Sequence, residues 1–126
     1  MRSILSPQAP APIGPYSQAV IAGEEIFCSG QIAIDVQTGE LTGTTAAEQA
    51  EQVLRNLGSV LEAAGAGYQQ VVKTTIFLVD MNDFAAVNDV YAKYFGQSRP
   101  ARSTVAAAAL PKGAIVEIDA VAKLTE

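Results

Sequence analysis

The stretch TAAEQAEQVLRNLGSVLEAAG, residues 45–65, decides how the rest of the chain must be read. Thr45 and Glu48 stand at capping-box spacing, where each side chain satisfies the other residue's backbone N–H, and Gly65 is a good helix stop. Ala47, Ala50, Leu54, Leu57, Leu61 and Ala64 form one apolar face at the helical period. Glu48, Glu51, Gln52, Arg55 and Glu62 fall mostly opposite. This is an amphipathic helix with one packed face and one wet face.

Outside that helix the pattern is largely that of strands. Residues 17–22 and 25–29 read as two strands joined by a tight Gly23-Glu24 hairpin turn. Residues 1–15, with prolines at 7, 10, 12 and 15, read as an extended lead-in, and the turn-rich residues 35–43 as a surface loop. Residues 71–79 are rich in β-branched side chains and predict a third strand. Asp83 is placed to cap a second helix of about three turns ending before Gly96. Its inward stripe is Phe84, Val87, Asn88, Tyr91 and Phe95. Residues 101–108 and 114–122 are two closing strands, joined by a Pro111-Lys112-Gly113 turn that suggests antiparallel neighbours.

The order ββ-α-β-α-ββ is a mixed α+β arrangement with both helices on one sheet face. In the last strand Ala114, Val116, Ile118, Ala120 and Ala122 share one side, with Ile115, Glu117, Asp119 and Val121 on the other. Two acids among apolar residues on the uncovered side suggest an oligomer interface holding a polar pocket.

At 126 residues the chain fits a single domain, residues 1–126, with no linker, repeat or low-complexity tract. Hydrophobic residues make up 49% and charged ones 17%, an apolar balance for a small domain that also points to a homo-oligomer. The net charge is −5 and the eight basic residues are scattered, which argues against binding nucleic-acid backbones or acidic membranes. Without histidine, and with Cys28 as the only cysteine, no Ser-His-Asp or Cys-His mechanism is possible and no metal site is expected. Cys28 reads as a small core residue. The start of the chain does not read as a signal peptide, and no stretch is long and apolar enough to span a bilayer; a reducing, cytoplasmic setting is expected.

Arg102 is the residue that most invites a functional reading. It lies in the otherwise almost uncharged run 101–110, where burying a guanidinium is costly unless an anion meets it. If the closing strands are neighbours, Arg102 and Thr104 lie near Glu117 and Asp119. Two readings of that proximity stand side by side: a structural Arg102–Glu117 ion pair, or an arginine fork for a ligand carboxylate with an acid beside it. Tyr16 follows a rigid Gly14-Pro15 turn and is able to position a ligand or a water, although packing is the commoner role. Ser29-Gly30-Gln31 permits close backbone approach but also simply ends a strand. Asn88, an amide on the apolar side of the second helix, either ties down a loop or lines a site.

In order along the chain, Gly14-Pro15-Tyr16-Ser17-Gln18-Ala19, Ser29-Gly30-Gln31, Asn56-Leu57 and Leu61 to Ala66 appear at a characteristic spacing. Val72 to Leu78, Met81-Asn82-Asp83-Phe84, Val87 to Tyr91, Pro100-Ala101-Arg102-Ser103 and Val116-Glu117-Ile118 continue the series. Together they resemble the RidA/YjgF family of imine deaminases over essentially the whole chain. The resemblance implies a chorismate-mutase-like fold and a homotrimer whose sheets form a central barrel with sites between subunits. It implies cofactor-free hydrolysis of 2-aminoacrylate/2-iminopropanoate and 2-iminobutanoate to 2-keto acids and ammonia. It further implies that Arg102 holds the substrate carboxylate, that Glu117 with the backbone carbonyl near Thr104 positions water or the imine nitrogen, and that Tyr16, Ser29, Gly30 and Asn88 line the pocket. Thr104 stands where many members have cysteine, and Ala33 where a proline is common. The competing readings are a non-enzymatic binder of 2-keto acids, or a ribonuclease or translation inhibitor. The last two fit poorly with the acidic chain.

Overall fold

Thr45 caps α1 (Ala46–Ala63) as its spacing predicts: the Glu48 N–H donates to the Thr45 hydroxyl at 3.2 Å, and the Thr45 N–H donates back to the Glu48 carboxylate at 3.2 Å. Gly65 follows the helix at φ 88, a left-handed conformation that suits glycine. Val53, Leu54, Leu57, Val60 and Leu61 are fully buried, each stabilising the fold by about 1.5–3 kcal/mol over an exposed position. The computed structural model describes residues 1–124; residues 125 and 126, the end of the domain expected from the length, lie outside the described residues.

Six strands share one sheet with α1 and α2 (Phe84–Phe95). They are β1 (Arg2–Ile4), β2 (Ala19–Ala22), β3 (Glu25–Gln31), β4 (Val71–Leu78), β5 (Ala101–Ala106) and β6 (Val116–Lys123). The expected order holds with one addition: β1 lies ahead of the first proline, so nothing prevents it from pairing with β2. β2 starts two residues later than its apolar run suggests, because the Ser17 and Gln18 carbonyls accept bonds from Ser29 instead. β3 runs on to Gln31 through an irregularity between Cys28 and Gln31. Asp83 does not cap α2 with its side chain. Asp80 accepts from the Asn82 N–H at 2.9 Å, and a 3-10 turn over Met81–Asp83 leads into the helix.

The two closing strands are not neighbours. The sheet order is β1-β2-β3-β6-β4-β5, with β5 parallel to β4 at the edge and β6 antiparallel between β3 and β4. Residues 107–115 pass around the end of β4, held there by Ala107 N–H to Leu78 O (2.7 Å) and Val79 N–H to Ile115 O (3.2 Å). Packing explains the preference. β6 carries Val116, Ile118, Ala120 and Ala122 into the core beneath the helices and belongs at the centre, whereas β5 is exposed except for half-buried Thr104.

Three buried amides bind loops to this frame. Gln18 accepts from the Ser6 N–H at 2.5 Å and donates to the Ser6 and Pro10 carbonyls at 3.2 and 2.9 Å. Gln49 donates to Gly43 O and accepts from the Ile115 N–H at 3.0 Å. Asn56 donates to the carbonyls of Ile32 and Ile34. Among the described residues every buried side-chain nitrogen and oxygen has a partner. No helix among them is long and apolar enough to cross a membrane. Gln18→Leu should destabilise the protein by about 2–4 kcal/mol, since it strips partners from several buried backbone groups. Urea unfolding at fixed protein concentration checks this, and hydrogen exchange should show the loss of protection centred on residues 4–10.

Candidate functional site

Cross-strand partners point to the same side of a sheet, and this separates the two residues the sequence places together. Arg102 is paired with Thr74, which is buried on the helix side and itself paired with Ala120. Glu117 is paired with Phe77 and points to the other side. Within one chain the sheet therefore lies between Arg102 and Glu117, and neither the ion pair nor the shared cleft forms. Nor is Arg102 buried: it is exposed on the free edge strand.

The Arg102 half of the arrangement is built by the first two turns of α2. Arg102 Nη1 donates to Asn88 Oδ1 at 2.7 Å. The guanidinium carbon lies 4.9 Å from the centre of the Tyr91 ring and 5.5 Å from that of Phe84. Tyr91 is buried, shares a 2.7 Å hydrogen bond with Thr74 and packs on Phe95 at 4.7 Å between ring centres. Burial holds the Tyr91 hydroxyl above its ordinary pKa, with the Thr74 bond and the Arg102 charge opposing the shift. Asn88 thus meets the arginine rather than a loop, and with Arg102 and Tyr91 it lines a shallow pocket. Phe84, expected to point inward, is 36% exposed and turns toward the guanidinium. Thr104 lies on the same side of β5 as Arg102, beside Ile76.

The Glu117 half lines a cavity of about 430 Å³ together with Tyr16, Ser29, Gly30 and Lys112. Burial raises the Glu117 pKa above the usual carboxylate value, and the charge of Asp119 adds to the rise. Gly30 makes room for the carboxyl where it lies: a Cβ there would meet the Glu117 carboxyl group and oblige that side chain to move, so the glycine does more than end a strand. The Ser29 hydroxyl donates to Ser17 O at 2.6 Å, which commits its proton and leaves its lone pairs to accept. Tyr16, 54% exposed, accepts weakly from the Ile13 N–H at 3.4 Å and keeps its own O–H free to donate. Cys28 is buried, and burial with the charge of Asp119 pushes its thiol up to about 12, so it is an inert core residue.

Of the residues expected at a site, Tyr16, Ser29, Gly30 and Glu117 gather at one cavity, and Asn88, Arg102 and Thr104 group elsewhere. Sequence reading missed Lys112 and the aromatic bed of Arg102. Phe84, Asn88 and Tyr91 recur at helical spacing, and that spacing was the available signal; Lys112 offered none beyond its place in a turn.

A small α+β protein with an exposed arginine at one sheet edge and a desolvated carboxyl on the opposite face is the class these features define. The profile of the Endoribonuclease L-PSP family matches residues 6–124, and the chain belongs to that family, which includes the RidA/YjgF proteins. A RutC family protein of Synechocystis is 56% identical over 98% of this chain and 97% of its own length. The human 2-iminobutanoate/2-iminopropanoate deaminase is 50% identical over 96% of this chain and 88% of its own. The crystal structure of E. coli TdcF with bound serine superposes with a TM-score of 0.92 at 40% identity, covering 98% of both chains.

A carboxyl whose pKa is raised on folding favours the protonated form in the native state, so its contribution to stability falls as pH rises from the unfolded pKa through the folded one. Glu117→Gln should therefore melt at a higher temperature than wild type at pH 7. The difference should vanish below the ordinary glutamate pKa; melting curves from about pH 3.5 to about pH 8 check the sign.

Proposed function

We propose that this protein hydrolyses reactive 2-imino acids and their enamine tautomers to 2-keto acids and ammonia, at sites completed between the subunits of a homotrimer. The observation that carries this reading is the separation of anchor from acid. One chain holds an oriented guanidinium on an edge strand and a desolvated carboxyl in a cavity on the far side of its sheet. Each is half of a site for a small carboxylate. The edge of β5 and the exposed side chains of Phe27 and Val105 on the uncovered face suit burial against another copy of the chain. The deaminase names of relatives about half identical to this chain, and serine in the TdcF structure, support a small amino-acid-like substrate.

In this reading Arg102 of one subunit binds the substrate carboxylate and fixes the imine carbon near Glu117 of the next. Glu117 as carboxylate takes a proton from water as the water oxygen bonds to C2, and passes it to nitrogen. The carbinolamine then gives its hydroxyl proton to nitrogen by the same carboxyl, the C–N bond breaks and ammonia leaves. Both protons gained by nitrogen come from the attacking water. Ser29 and Tyr16 supply an acceptor and a donor that orient water or substrate.

Arg102→Ala should lower kcat/KM by about 100-fold or more while the oligomer persists, because a paired charge-assisted contact is lost. The assay is the lifetime of imine generated in situ by threonine dehydratase, with light scattering for the assembly. An imine lifetime unaffected by the wild-type protein would refute the reading. Glu117→Gln should reduce kcat by about 100-fold, and the acidic limb of the wild-type pH–rate profile should sit above the ordinary glutamate pKa, consistent with the raised value.

A further inference from the structure

Arg102 is exposed, and an exposed arginine ordinarily samples many rotamers. Here three side chains of α2 meet it. Asn88 takes one Nη1 proton, and the rings of Tyr91 and Phe84 lie 4.9 and 5.5 Å from the guanidinium carbon. The ring of Tyr91 is itself fixed. Its hydroxyl is tied to Thr74, the cross-strand partner of Arg102, and its other neighbour is buried Phe95. Phe84 is the odd member, because a phenylalanine left 36% exposed at the first turn of a helix adds little to a core. Arginine has donors only, so it must face the oxygen of the Asn88 amide. That choice leaves the Asn88 NH₂ group and the Nε–Nη2 edge of the fork free of this contact.

We infer that Phe84 and Tyr91 are positioning residues for the carboxylate anchor: their faces hold the Arg102 guanidinium so that, with Asn88 engaging Nη1, its Nε–Nη2 edge is presented to the ligand before the ligand arrives. The inference rests on the reading of Arg102 as a carboxylate anchor and extends it to residues argued to act through the guanidinium. Preorganisation of this kind acts on binding and leaves the chemical step alone. A ring used only as filler would act on stability instead.

The test uses the full-length protein, 2-oxobutanoate binding by calorimetry, and imine hydrolysis. Phe84→Leu should raise both the Kd for 2-oxobutanoate and the KM for imine by about three- to tenfold, with kcat within about twofold. Phe84→Tyr restores an aromatic face and should return both to near wild type. Tyr91→Phe keeps the ring but loses the bond to Thr74, and should fall between. Unchanged Kd and KM in Phe84→Leu overturn the inference, as does a lower melting temperature with reduced kcat and intact KM. Arg102→Ala separates the two levels. If it abolishes 2-oxobutanoate binding, the anchor stands and Phe84 alone decides the positioning role. If it binds like wild type, the anchor reading fails and the positioning role falls with it.

Discussion

The central strand β6 has to satisfy two surfaces at once, and its register governs most of what surrounds it. Val116, Ile118, Ala120 and Ala122 enter the core under the helices, while Glu117 and Asp119 face the other way. A slip of one residue would exchange the two sets, burying both acids and exposing four apolar side chains. That cost fixes β6 between β3 and β4. It also aligns Glu117 with the irregularity in β3, where Gly30 has no side chain to obstruct the carboxyl. The acid's raised pKa and the shape of its cavity follow from one packing constraint.

Displacement of β5 to the edge is the counterpart of that constraint. A strand of Ala, Ser, Thr and Val with one arginine has little to contribute to a core, and pairing with β4 alone leaves its other edge open. What the strand does supply is a backbone platform that lays Arg102 against α2. Anchor and acid thus owe their separation to where each strand's side chains are most stable, and it is the proposed assembly that would reunite them.

Much of the fold was legible because it rests on periodicity. The capping box at Thr45, the stop at Gly65 and the alternation of β6 each express a local rule, and the structure obeys them. What could not be read was pairing between distant segments. Proximity in sequence and a Pro-Lys-Gly turn suggested a β5–β6 hairpin, yet residues 107–115 carry the chain past β4, and nothing local distinguishes a hairpin from that crossover. The site suffered the same limit. Arg102 and Glu117 were identifiable by the chemistry their surroundings allow, but their mutual placement depended on strand order. The loop-binding roles of Gln18, Gln49 and Asn56 are not legible for a related reason: each resembles a surface amide until the loop it satisfies is folded over it.

Arg102 has a second consequence that concerns solubility. From Ser103 to Pro111 the chain is uncharged and mostly alanine, valine and leucine, and much of it lies on an open strand edge. Such a segment invites end-on sheet growth from one molecule to the next. A charge at the head of such a strand is the kind of residue that opposes that growth. Until that edge is covered by another copy of the chain, as the proposed assembly would do, Arg102 is the one charge on β5 that opposes strand-to-strand pairing.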